Sequence, residues 1–144
     1  MADSEKQAVA IWKDGLAFEG SVAAGFKVAL DSGPSATGFS PMELLLVSLA
    51  GCTGMDVIDV LRKKRQDVSG LEVQVSGARA SDHPRKYTAL RIHFIVTGRA
   101  VEPEAVRRSI ELSETKYCSV AASLDPAIRV TTDFEIRAAQ VVGA

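Results

Sequence analysis

SPMELLLVSLAGCTGMDVIDVLRKKR, residues 40–65, decides the fold. Ser40 offers a hydroxyl at the N-cap, Pro41 suits the first helical position, and Glu43 brings a carboxylate three places after the cap; together they form a capping box that starts a helix. From Met42 to Leu61 apolar residues fall on nearly every side, among them Leu44, Leu45, Leu46, Val47, Leu49, Ala50, Met55, Val57, Ile58 and Leu61. A helix apolar all round is covered all round. Arg62, Lys63, Lys64 and Arg65 close it with cations at the negative end of the helix dipole, a solvated terminus rather than a nucleic-acid patch. Gly51 and Gly54 sit inside it at a cost of about 1 kcal/mol each relative to alanine, which predicts a close neighbour at that point.

Outward from this helix the pattern is that of strands. The first thirty residues alternate short apolar runs with turns: AVAIW, then LAF after Asp14-Gly15, then FKVAL ending at Asp31, a β-meander. DSGPSATG, residues 31–38, reads as a loop. After the helix, LEVQVSGARA and YTALRIHFIVTG flank the polar turn SDHPRK, with Leu90, Ile92, Phe94 and Val96 on one face of the second strand. Pro103 opens a surface helix to about Lys116 with Val106, Ile110 and Ser113 on one stripe. CSVAASL begins a short third helix, and IRVTTDFEIRA closes the chain as a strand with Ile128, Val130, Thr132, Phe134 and Ile136 turned inward. The order β-β-β-α-β-β-α-α-β, with hairpin connections, predicts a single α+β domain over residues 1–144 with antiparallel sheets. One small sheet covers only one side of the long helix, so a second copy of the chain is expected to cover the rest: a homodimer with the helix from Met42 to Arg65 at its centre.

Composition narrows the function. Of 144 residues, 47% are apolar and 24% charged, and 17 basic against 18 acidic side chains leave a formal charge of -1. That balance gives no broad attraction for nucleic acid or an anionic membrane. The N-terminal MADSEKQAVA carries charges where a signal peptide needs an apolar core, and the apolar run from Leu44 to Ala50 is short for a bilayer, so a cytoplasmic location is expected. His83 and His93 lack the spacing of a zinc module, and neither a metal nor a cofactor is expected.

Chemistry therefore rests on Cys52 and Cys118, the only cysteines, 66 positions apart. Cysteine buried among leucines behaves as a small hydrophobe, which is one reading of Cys52. Cys118 lies at a helix start, where unpaired N–H groups favour the thiolate.

SPMELLLVSLAGCTGMDVIDVL, residues 40–61, and ETKYCSVAASL, residues 114–124, resemble the two signature regions of the OsmC/Ohr family, in particular its YhfA-like branch. The resemblance covers most of the chain. It implies an intertwined α+β homodimer with antiparallel sheets around two long central helices, and a thiol-dependent peroxidase that reduces organic hydroperoxides. By position Cys52 resembles the peroxidatic cysteine, which becomes a sulfenic acid, and Cys118 the resolving one, which condenses with it; an external dithiol such as a lipoylated protein then reduces the disulfide. Such a pair must bring its Cα atoms within about 7 Å. An apolar pocket built from leucines and methionine of the helix, with Phe39, would favour organic peroxides over hydrogen peroxide.

At one point the chain departs from the family pattern. The hydroperoxidase branches hold an N-terminal arginine with a glutamate directly after the motif proline, whereas here Met42 follows Pro41, Glu43 comes one place later, and no arginine precedes Arg62. Lys6, Lys13 and Lys27 cannot reproduce the planar contact of a guanidinium; Arg79, Arg85 or Lys116 would have to stand in. Glu43 is thus a candidate catalytic residue and equally a helix cap. Two other functions fit the same fold: a redox sensor or a binding protein for small apolar ligands without efficient turnover, and a hydrolase with Cys52 as nucleophile, for which no histidine stands out as base.

Overall fold

The computed structural model describes residues 5–140, so the first four residues of the charged N-terminal segment lie outside it. The chain divides into two compact units, one ending at Leu45 and the other beginning at Leu46, within the long helix.

In the first unit, β1 (Ala8–Asp14), β2 (Ala17–Val22) and β3 (Lys27–Leu30) form an antiparallel meander in that order. Gly15, at φ 53°, makes the β1–β2 turn after Asp14, a conformation glycine adopts without a Cβ penalty. Every residue of β1 is exposed within the chain, including Trp12 at 62%.

Helix α1 runs from Pro41 to Lys63. Its start is the capping box: Glu43 N–H donates to Ser40 Oγ and Ser40 N–H donates to Glu43 Oε1, both at 3.1 Å. The Ser40 N–H holds the Glu43 carboxyl below its usual range. Helix α1 has 23 residues and contains an 18-residue stretch of mean hydropathy 1.8, which makes it long and apolar enough to cross a membrane by length and composition, more than the run from Leu44 to Ala50 suggests. Coverage all round is not what the single chain provides. Only Leu49, Thr53, Val57 and Leu61 are buried, a row at i, i+4, i+8 and i+12 that occupies one face, while Val47 and Met55 are 50% and 72% exposed. Of the two glycines, Gly54 meets the expected neighbour, since a Cβ there would stand 3.2 Å from Val73 Cγ2; Gly51 faces open space.

The second unit is built on β4 (Asp67–Arg79), β5 (Tyr87–Arg99) and β6 (Arg129–Ala138), with β5 in the middle. β4 and β5 pair antiparallel, but β6 runs parallel to β5, so this sheet is mixed where an antiparallel one was expected. The cause lies in the connection: between β5 and β6 the chain passes through α2 (Pro103–Leu112), a π-helical turn (Ser113–Tyr117) and α3 (Ser119–Ala122), a crossover long enough to bring the next strand back in the same direction. Leu90, Ile92, Phe94 and Val96 are the buried face of β5 as expected. Gly98 lies at the end of that strand, where any Cβ would collide with the Asp67 carbonyl oxygen. α2 buries Ala105, Val106, Ser109 and Ile110. On β6 the expected inward row is only partly realised: Thr132, Phe134 and Ile136 are half-buried and Val130 is exposed, because β6 is an edge strand.

The polar face of this sheet carries an ion cluster. His93 on β5 lies between two carboxylates of β6, Nδ1 2.7 Å from Asp133 Oδ1 and Nε2 3.0 Å from Glu135 Oε1. Arg91 donates to Asp133 at 2.6 Å and Arg137 to Glu135 at 3.1 Å. The hydrogen bond to Glu135, then that to Asp133, raises the His93 pKa above 6.5; Arg91 lowers Asp133, and His93 lowers Glu135. A histidine raised on folding stabilises fully below its unfolded pKa and loses that contribution as pH rises through its folded value. Urea unfolding is therefore expected to show stability declining above pH 6.5, and His93→Gln to flatten that part of the profile. An unchanged profile in the variant would contradict the cluster's role.

Candidate functional site

The second unit brings the two cysteines together. Sγ of Cys52, Sγ of Cys118 and a carboxylate oxygen of Asp56 all lie within 4.8 Å of one another, and both sulfurs are free thiols. Cys52 and Asp56 stand four residues apart on α1 and so share a face. Thr53, beside Cys52, returns its hydroxyl to the carbonyls of Leu49 and Ala50 at 2.9 and 3.2 Å.

Cys118 is delivered by the π-helical turn. Its N–H donates to the Ser113 carbonyl at 2.9 Å, the i to i+5 bond that closes such a turn, and π-turns are frequent at functional sites. Ser113, fully buried, donates its hydroxyl to Asp56 Oδ2 at 2.8 Å. One bond thus fixes the carboxylate and ties the turn to α1. Sequence reasoning missed both residues; the signal available was an acidic residue at i+4 from a cysteine within an apolar helix.

Cys118 caps α3 and accepts the Ala121 N–H at 3.4 Å. The expected thiolate-favouring environment is not what results. Burial dominates, and with the Cys52 and Asp56 groups beside it pushes the Cys118 pKa up to about 11 against the one favourable N–H. A four-residue helix supplies too few aligned peptides to offset desolvation. Cys52 is half-buried and Cys118 buried.

Two of the three cations proposed to replace an N-terminal arginine have other engagements. Arg79 Nε donates to the Arg85 carbonyl at 2.7 Å, fastening the β4–β5 turn, and Lys116 lies over the Tyr117 ring at 5.3 Å. The neighbours acting electrostatically on Cys118 are Cys52 and then the carboxyl group of Asp56, not a cation. Glu43 makes its bonds to Ser40 in the first turn of α1, the geometry of a cap.

Beside Cys118 opens a cavity of about 270 Å³, walled by Leu49, Ile92, Leu124, Ile128 and Val130 among others. It differs from the expected pocket: leucine and isoleucine form it rather than methionine, and it reaches Cys118, Leu49 and Thr53 but not Cys52. Met55 lies on another face of α1 in a shallow groove with β4. Phe39 belongs to the first unit and is 43% exposed.

Two free thiols held together by a π-turn anchored through the buried Ser113 against a long helix, within an α+β fold, are the features to compare with known proteins. The chain belongs to the OsmC-like protein family, whose model matches residues 33–133. It is 41% identical to the Escherichia coli K12 protein YhfA over 133 residues, 92% of this chain and 99% of that one. A hypothetical protein from Aquifex aeolicus has the same fold with a TM-score of 0.87 at 30% identity, covering 96% of this chain and all of that one. The organic hydroperoxide resistance protein OhrB of Bacillus subtilis shares the fold with a TM-score of 0.62 at 16% identity, over 92% of this chain and 98% of its own.

Proposed function

We propose that the chain is a thiol-dependent peroxidase that reduces organic hydroperoxides in the cytoplasm, as a homodimer. The observation that carries this reading is the approach of two free thiols to within 4.8 Å of each other. The more accessible Cys52 is the attacking group. Its thiolate takes the terminal oxygen of ROOH, the O–O bond breaks, and with one proton the products are Cys52 sulfenic acid and ROH. The Cys118 thiol then attacks the sulfenic sulfur; the S–O bond breaks and water leaves with the thiol proton, forming a Cys52–Cys118 disulfide. An external dithiol, such as a lipoylated protein, returns both thiols by exchange. The aliphatic cavity beside Cys118 accepts the organic group of the peroxide.

Steady-state consumption of cumene hydroperoxide with dihydrolipoamide as reductant tests this. Turnover that requires both cysteines and exceeds turnover of hydrogen peroxide is expected; no turnover with any dithiol would overturn the enzymatic reading. The second reading, a redox sensor or carrier of small apolar ligands, draws on the same cavity and on the anionic rather than cationic neighbour of the pair. Ligand affinity that survives Cys118→Ser in a protein without turnover would favour it.

The dimer is supported by the apolar face that α1 leaves uncovered. Val47, Ala50, Met55 and Ile58 line a groove with Val68, Leu71 and Val73 of β4, and a second copy burying it would complete the coverage that the apolar helix calls for. Met55→Asp is expected to move the protein toward monomer in sedimentation analysis, whereas a wild-type protein that sediments as a monomer would contradict the assembly.

A further inference from the structure

Cys52, Asp56 and Cys118 have the donor set of a metal site as well as that of a redox pair. Two thiols and a carboxylate are the ligands that Zn²⁺ and similar cations prefer, with Zn–S about 2.3 Å and Zn–O about 2.0–2.2 Å, which places ligand atoms of one tetrahedral ion somewhat under 4 Å apart. The three ligand atoms here already lie within 4.8 Å of one another, so small side-chain rotations suffice. The frame around them is fixed: Cys52 and Asp56 share one face of α1, the Ser113 hydroxyl holds Asp56 Oδ2 at 2.8 Å, and the π-turn holds Cys118. An outer hydrogen bond of the Ser113 kind orients a ligating carboxylate. Cys52 and Asp56 are both half-buried, which leaves room for a water as fourth ligand.

We infer that these three side chains form a site for one thiophilic divalent cation, Zn²⁺ being the representative, and that oxidation of the pair empties it. The site stands on the geometry alone; its gating by peroxide rests on the peroxidase reading. Uptake by the reduced protein replaces two thiol protons with the metal. Reaction of that complex with one organic hydroperoxide and two protons yields the Cys52–Cys118 disulfide, ROH, water and the free cation, with two electrons passing from the sulfurs to the O–O bond. Metal and disulfide cannot share the same two sulfurs, so each state excludes the other.

Titration of the fully reduced, full-length protein with Co²⁺ alone reads the site directly through the thiolate-to-cobalt charge-transfer band. Binding of one ion per chain with release of about two protons is expected, reversed by Zn²⁺ competition. Asp56→Asn is expected to weaken binding about tenfold or more, while Ser113→Ala, which keeps all three ligands, weakens it less; circular dichroism of both variants establishes that each is folded. Pre-formed disulfide is expected to take up no cobalt. Absence of the charge-transfer band in the reduced protein, or unchanged affinity in folded Asp56→Asn, would overturn the three-ligand site. Mass analysis separates the two readings: a protein that ignores cobalt yet forms the disulfide refutes the metal site alone. One that binds cobalt through all three ligands yet never forms the disulfide refutes the gating and the peroxidase reading, and leaves the site standing.

Discussion

Cys118→Ser is expected to abolish dithiol-dependent turnover and to send Cys52 to the sulfinic acid when organic hydroperoxide is in excess. The reason lies in the division of labour between the two sulfurs. On the peroxidase reading proposed above, Cys52, the half-buried thiol on α1, meets the peroxide first and Cys118, the buried one within 4.8 Å of it, traps the sulfenic acid. With serine at 118 no thiol traps the intermediate, and further oxidation is irreversible. Serine keeps the size of the side chain and the polar cap for the Ala121 N–H, so the variant remains folded. Intact-mass analysis after stepwise addition of peroxide, run beside the coupled assay, checks both halves. A Cys118→Ser protein that retained most of its turnover would mean that the external dithiol reduces the sulfenic acid unaided and that Cys118 is a packing residue.

The second large effect falls on stability. Phe94, 1% exposed at the centre of β5, is flanked by Val73 on β4 and Phe134 on β6. Truncation to alanine deletes a whole ring from the middle of the second unit, and such changes cost about 3–5 kcal/mol, a large part of the ~5–15 kcal/mol that holds an ordinary domain together. Chemical denaturation is expected to show the unfolding midpoint of Phe94→Ala sharply reduced. A loss below about 1 kcal/mol would mean that the site collapses around the gap or that the centre of the core lies elsewhere.

Much of the fold was legible in the sequence because local signals there are strong and mutually consistent. The Ser40-Pro41-Glu43 box marks the start of α1 to the residue, and the alternation from Leu90 to Val96 marks the buried face of β5. The direction of β6 was not legible. Strand periodicity reads the same for parallel and antiparallel pairing, and the crossover through α2, the π-turn and α3 determines it. The π-turn itself has no periodic signature in SETKY, and the bond that ties it to α1 joins Ser113 to Asp56, far away in the sequence. The same holds for the site. Two cysteines far apart in sequence were joined through resemblance to a family, not through spacing, and the acidic partner between them went unread because Asp56 looked like one more polar position on a helix. The Cys118 environment was misjudged for a related reason: sequence shows the helix start that favours a thiolate but not the burial that outweighs it.

Peptide mapping after one equivalent of cumene hydroperoxide tests the central claim most directly. A single cross-linked species joining the peptide of Cys52 to that of Cys118, restored to two free thiols by a dithiol, is the expected result. Recovery of Cys118 as a free thiol beside a Cys52 that has gone to sulfinic acid, or of both cysteines unmodified, would contradict it.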